Sequence, residues 1–158
     1  MSGDMRRPRL DGLFDVDSES GLSELLAGDD SVDFVQSEVE RLWVLPSGAT
    51  PANPAELLSS DRTGKAITLM EEQFDIVFVD TPPVLATADA VTLAAHGLPV
   101  LLVVDGQSTE AESLTIVRSE FAKVGVTISG AILNRDSNAR NGLWPFNRRN
   151  SYYANSSS

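Results

Sequence analysis

Apolar and polar residues alternate in blocks along this chain. Phe74 to Val79 is a nearly continuous apolar run with β-branched members. Leu98 to Val104 and Val126 to Leu133 are two more. Runs of this kind, without a polar alternation, predict strands buried on both faces, as in a parallel sheet. Asp80-Thr81-Pro82-Pro83 closes the first run, because two prolines forbid further pairing. Helical patterns lie between and before the runs. Gly21 to Ala27 predicts a short helix closed by Gly28. Asn53-Pro54-Ala55-Glu56 reads as a capping box with proline in the first turn, and Leu57, Leu58, Ile67 and Met70 give a partly periodic apolar face. Ala88 to Ala95 predicts a compact helix capped by Thr87 and stopped by Gly97. Thr109-Glu110-Ala111-Glu112 is a second capping box, opening a helix with Ala111, Leu114, Val117, Phe121 and Val124 on one face and Gly125 at its end. Arg41 to Leu45 predicts a short strand ended by Pro46-Ser47-Gly48. Buried strands alternating with capped helices predict an α/β fold with a mostly parallel sheet flanked by helices.

Composition narrows the chemistry. The 158 residues carry a net charge of −11, which disfavours a nucleic-acid partner. There is no cysteine, so disulfides and thiolate metal sites are excluded. The one histidine, His96, sits at an apolar helix end and reads as structural. No apolar run approaches the ~20 residues of a membrane span, so a cytoplasmic domain is expected. Charge is uneven: residues 1–134 hold 8 basic and 22 acidic side chains, residues 135–158 hold 4 and 1. The expected division is a folded domain over 1–136 and a flexible, tyrosine-bearing tail over 137–158.

In parallel α/β sheets, ligands sit beyond the carboxyl ends of the strands. Asp80 and Thr81, Asp105 and Gly106, and Asn134 and Arg135 occupy those ends. Asp80 after four apolar residues suits a carboxylate that holds Mg²⁺, or merely caps a turn. Asp4 beside Arg6, Arg7 and Arg9 reads as a metal- and phosphate-facing cluster or as a solvated arm. Asn134 suits a purine edge or a turn. Tyr152 and Tyr153 are accessible phosphoacceptors or tail composition. Gly64-Lys65-Ala66 lacks the earlier glycine and the following hydroxyl of a phosphate loop and is set aside.

Taken together, Asp4-Met5-Arg6-Arg7-Pro8-Arg9-Leu10, Gly21-Leu22-Ser23-Glu24-Leu25-Leu26-Ala27-Gly28, Leu45-Pro46-Ser47-Gly48 with Asn53-Pro54-Ala55-Glu56-Leu57-Leu58, Phe74 to Pro83, and Ile132-Leu133-Asn134-Arg135 resemble the bacterial tyrosine kinases of capsule and exopolysaccharide synthesis. That resemblance implies a deviant-Walker P-loop NTPase fold using ATP and Mg²⁺. Asp4 would lie in the Walker A′ motif, coordinating Mg²⁺ and assisting the tyrosine hydroxyl, and Asp80 would be the Walker B acid. Arg6 would lie near the phosphates, Asn134 and Arg135 at the adenine, and Tyr152 and Tyr153 would be autophosphorylated. It also implies self-association and activation by a transmembrane chain-length regulator, at the inner face of the plasma membrane. Ser2 stands where the family has its first acid. The family's phosphate-loop strand and helix, expected before Asp4, are missing, so the chain is expected to be inactive alone. The implied missing strand lies beside Phe74 to Val79. A non-catalytic regulatory module and a partition-type ATPase remain the alternatives.

Overall fold

The structure, a computed structural model, describes residues 1–16 and 19–136. Its elements are α1 (Leu10–Leu13), α2 (Leu22–Ala27), β1 (Val35–Gln36), β2 (Trp43–Val44), α3 (Pro54–Leu58), α4 (Asp61–Gln73), α5 (Asp89–Ala94), β3 (Val100–Asp105), α6 (Ala111–Lys123) and β4 (Ile128–Asn134). β3 and β4 pair in parallel from Val100 opposite Ile128 to Asp105 opposite Asn134, with one irregularity after Val100. β1 and β2 form a small antiparallel pair. The α/β character and the parallel pairing agree with the apolar runs.

Glycines end several helices where the sequence placed them. Gly28 follows α2 at φ +115°, and its N–H bonds the Glu24 and Leu25 carbonyls. Gly125, at φ +74°, stops the chain after α6. Caps are less obedient. At α3 the Asn53 side chain makes no cap bond and donates instead to Glu56 Oε2 at 3.2 Å. At α6 the cap residue is Glu110, not Thr109, with no side-chain cap bond, and the Thr109 N–H donates to the Asp105 carbonyl at 2.9 Å, so it is not left for the Glu112 half of a capping box. Thr87 sits two residues before the start of α5, one before the cap position at Ala88, and its hydroxyl meets the Asp89 N–H only at 3.4 Å. Apolar positions after Asn53 divide at Ser59–Ser60 into two helices, α3 and α4.

Two cores hold the fold. Met5, Leu22, Leu26, Leu45, Leu58, Ala66, Met70 and Leu93 form one. Ala90, Ala94, Val117 and Phe121 form the other, between α5 and α6. Leu58 is fully buried and Phe121 is 2% exposed.

The expectation of strands buried on both faces is corrected. Residues 74–79 form no ladder among the described residues; only an isolated parallel bridge joins Ser2 to Asp80. Residues 1–3 run between Leu45 and residues 78–80: Ser2 N–H donates to the Leu45 carbonyl at 2.9 Å, and Gly3 N–H to the Asp80 carbonyl at 2.7 Å. Ile76 and Phe78 are 71% and 74% exposed, while Val77 and Val79 are half-buried. β3 alternates likewise, with Leu101 and Val103 exposed, and Ile132 and Leu133 of β4 are open as well. The physical reason is that no described element covers the outer face, so a pattern suited to two-sided burial is buried on one side. Between residues 79–85 and β3 lies a cleft of about 400 Å³, lined by apolar side chains that include Val79, Leu93, Leu102 and Phe121. No backbone hydrogen bond crosses it among the described residues.

Candidate functional site

The first cluster gathers where residues 1–4 meet the end of the Phe74–Val79 run. Gly3 permits the approach: a Cβ there would lie 2.6 Å from the Asp80 carbonyl oxygen and 3.0 Å from Val79 Cγ1. Asp80 N–H returns a bond to the Met1 carbonyl at 3.0 Å. Asp4 follows directly, and its Oδ1 accepts the backbone N–H groups of Arg6 at 3.0 Å and Arg7 at 2.9 Å. This local turn fixes the carboxylate and leaves Oδ2 for other partners.

Asp80 feels its surroundings. Loss of water around its carboxyl is the first cause holding its pKa above the usual carboxylate value, and the Asp4 charge is the second. The Met1 amine and a hydrogen bond from the Thr81 N–H oppose the rise. Two sequence-predicted acids, 76 residues apart in the chain, are therefore close enough to interact. The Met1 amine itself is held below its ordinary value by burial, against the pull of Asp80 and Asp11.

Arg6 is exposed, yet its guanidinium is committed to a buried partner. Its Nε donates to Asp89 Oδ2 at 3.1 Å and its Nη2 to Asp89 Oδ1 at 3.3 Å. The Asp89 side chain is 1% exposed, against 43% for Arg6. Asp89 is the first cause raising the Arg6 pKa. Nothing local in the sequence marks Asp89; within Ala88-Asp89-Ala90 it reads as a helix-opening acid.

The second cluster lies at the carboxyl ends of β3 and β4. Arg135, at φ +54°, donates from Nη1 to Asp105 Oδ2 at 2.9 Å and from Nη2 to Gln107 Oε1 at 2.6 Å. Its own N–H donates to Asn134 Oδ1 at 2.9 Å. Asp105 also accepts the Gln107 N–H and the Ser108 hydroxyl, and these two bonds, ahead of the Arg135 charge, hold its carboxyl below the usual range. Asn134, the last residue of β4, and Arg135 thus share one polar cluster with Asp105, the last residue of the adjacent parallel β3. Gln107 was not foreseen; only its position two residues beyond a strand end signalled it.

The fit to a divalent cation rests on the donor set. Asp4 and Asp80 offer hard carboxylate oxygens, which suit Mg²⁺. Among the described residues no group of three or more acids or histidines gathers around a common point. A pair of carboxylates is compatible with Mg²⁺, which keeps several waters and commonly takes its remaining ligands from phosphates. His96 is structural, its Nε2 at 2.9 Å from the Leu58 carbonyl. Tyr152 and Tyr153 lie outside the described residues. No helix among the described residues is long and apolar enough to cross a membrane.

No protein-family profile matches the chain. Individual proteins do. The tyrosine-protein kinase ptk of Acinetobacter johnsonii is 38% identical over 136 residues, which is 85% of this chain and 19% of that protein. The crystal structure of the VpsO kinase domain superposes with a TM-score of 0.79 at 31% identity, covering 85% of this chain and 68% of that one. The kinase domain of the Escherichia coli tyrosine kinase ETK gives a TM-score of 0.80 at 35% identity, covering 85% and 54%. The chain spans about a fifth of the length of the ptk relative, and between half and seven-tenths of these kinase domains.

Proposed function

The chain belongs to the bacterial tyrosine kinase family, and on that premise we propose that it is the metal- and base-facing portion of an ATP-dependent tyrosine autokinase controlling capsule or exopolysaccharide synthesis. The observation that carries the reading is the backbone contact that brings the Asp4 segment to Asp80: Gly3 N–H donates to the Asp80 carbonyl at 2.7 Å and Asp80 N–H to the Met1 carbonyl at 3.0 Å. In this reading Asp80 holds the water shell of Mg²⁺ and Asp4 ligates it. A bound Mg²⁺ supplies neutralisation of charge on the transferring phosphoryl oxygens. Asp4 accepts the proton of the attacking tyrosine hydroxyl, and Tyr152 and Tyr153 are the acceptors. Asn134 and Arg135 border the adenine.

These 158 residues contain no Gly-x-x-x-x-Gly-Lys-Ser/Thr sequence. Without that loop there is no nest of backbone N–H groups for the phosphates and no lysine on the β/γ oxygens. In the P-loop NTPase reading, a strand bearing such a loop occupies the apolar cleft between residues 79–85 and β3. Positioning supplies nearly all of phosphoryl-transfer catalysis. The chain as it stands therefore keeps its acids and loses its activity. The proposed setting is the inner face of the plasma membrane, under a transmembrane chain-length regulator and with self-association of the full-length form.

Calorimetry of the 158-residue chain with Mg²⁺–ATP tests this. The expected result is no micromolar binding; tight, Mg²⁺-dependent binding would overturn the dependence on a separate phosphate loop. Phosphotyrosine mapping in cells tests the tail. Modification at Tyr152 or Tyr153 is expected, and its absence from an active full-length kinase would remove that role.

A further inference from the structure

We propose that Asp89 is a positioning residue for the acidic pair: it holds Arg6 in a two-pronged ion pair, keeps that guanidinium off Asp4 and Asp80, and leaves their oxygens open to a divalent cation. The inference rests on the reading of Asp4 and Asp80 as cation-facing acids.

The geometry carries it. Arg6 is the second residue after Asp4, and its backbone N–H sits on Asp4 Oδ1 at 3.0 Å. A long cationic side chain starting there has the acidic pair as its natural local partner. Instead both prongs go to Asp89, 83 residues away, at 3.1 and 3.3 Å. The fork is anchored at its buried end, since the Asp89 carboxylate is 1% exposed. A buried carboxylate without a cation is costly, so Asp89 does not release Arg6 readily. The bidentate arrangement also fixes the guanidinium plane.

The surrounding contacts hold the turn that carries both Asp4 and Arg6. Met5, 1% exposed, is packed in the same core cluster as Leu93 of the Asp89-bearing helix α5. Arg7 N–H supplies the second bond to Asp4 Oδ1. The cation facing Asp80 is then the Met1 amine, which bonds the Phe78 carbonyl at 2.8 Å. Arg6 is near and already neutralised.

A purely structural fork and a sequestering one predict different signs. If the fork only braces the fold, removing either partner harms cation binding alike. If it sequesters Arg6, removing Asp89 frees a competing cation, and removing Arg6 as well cures the defect. The experiment is a Mn²⁺ titration of the full 158-residue chain, read as paramagnetic broadening of the Gly3 and Thr81 amide signals, with circular dichroism to verify folding. Asp89→Asn is expected to raise the Mn²⁺ midpoint by about fivefold, the scale of one competing exposed ion pair. Arg6→Gln/Asp89→Asn is expected to return near the wild-type midpoint, and Arg6→Gln alone to bind no more weakly than wild type. An unchanged midpoint in Asp89→Asn, or a double variant as weak as the single one, overturns the proposal. If Asp89→Asn does not fold, Arg6→Gln decides: weaker Mn²⁺ binding than wild type refutes sequestration. Wild-type protein without localised broadening at Gly3 and Thr81 removes the cation-site reading and the proposal with it. That result is visible before any variant is made.

Discussion

Gly3→Ala probes the contact on which the acidic pair depends. The added methyl would stand 2.6 Å from the Asp80 carbonyl oxygen, 3.0 Å from Val79 Cγ1 and 3.4 Å from Leu93 Cδ1. The first of these atoms is backbone, and it also accepts the Gly3 N–H at 2.7 Å. Relief therefore requires residues 1–3 and 78–80 to move apart. The lost hydrogen bond costs about 1 kcal/mol, and forcing a methyl into a packed site adds about 1–3 kcal/mol. The expected loss is about 2–4 kcal/mol, which for a chain of this size lowers the melting temperature by roughly 4–16 °C. Thermal unfolding followed by circular dichroism measures it. Gly12→Ala is the control, because Gly12 lies in α1 and a methyl added there meets nothing within 4 Å. A helical Gly-to-Ala change there should be neutral or stabilise by up to about 1 kcal/mol. If Gly3→Ala melts with wild type while Gly12→Ala behaves as expected, the close approach of the first motif to Asp80 is wrong.

Other outcomes follow from single residues. Ser2 is fully buried and its hydroxyl has no hydrogen-bond partner among the described residues, so Ser2→Ala should stabilise the fold by about 1 kcal/mol in urea denaturation. Phe121→Ala removes a ring that is 2% exposed between α5 and α6 and should cost about 3–5 kcal/mol in the same assay. Asp105 has a folded-state pKa below its unfolded value, so its contribution is present above the unfolded pKa and lost as pH falls through the folded one. Asp105→Asn should therefore destabilise at pH 7, and the difference from wild type should shrink as acid titrates the wild-type carboxyl; a gap that persists unchanged at low pH would contradict this.

Much of the fold was legible because its signals are local. The Leu114, Val117 and Phe121 spacing and the stop at Gly125 define α6 almost to the residue, since period and a left-handed glycine act within one helix. The parallel pairing of β3 with β4 follows from two apolar runs joined by that helix. What escaped the sequence is long-range or competitive. Burial of Ile76 and Phe78 was expected from their chemistry, but burial needs a covering element, which no property of those residues supplies. Thr109 looked like a cap, but the helix starts one residue later, with Glu110 at the cap, and Thr109 N–H belongs to the turn after β3 through the Asp105 carbonyl. β1 and α1, of two and four residues, are too short to show a period. Asp4, Asp80, Asn134 and Arg135 were singled out by their place in motifs and at strand ends. Asp89 was not, because its meaning depends on Arg6, 83 residues away.

The two clusters sit on separate pieces of backbone, one held by an isolated bridge and one by the β3–β4 ladder, and this bears on the proposed nucleotide site. Asp4 and Asp80 are tied to one another through residues 1–3 and 78–80. Asn134 and Arg135 are tied to Asp105 through the β3–β4 ladder. Across the cleft between them runs no backbone hydrogen bond among the described residues; the second core, which packs Val84, Val100 and Leu102 against α5 and α6, spans it through side chains. Side-chain packing fixes such a distance less sharply than a ladder, because apolar contacts are not directional. A nucleotide that must touch both clusters at once needs that distance set before it binds, or its own binding energy is spent on setting it. A strand seated in the cleft would fix the spacing through hydrogen bonds on both of its edges, so on the proposed reading a segment bearing the phosphate loop would also bring the Asp4–Asp80 and Asn134–Arg135 clusters into register.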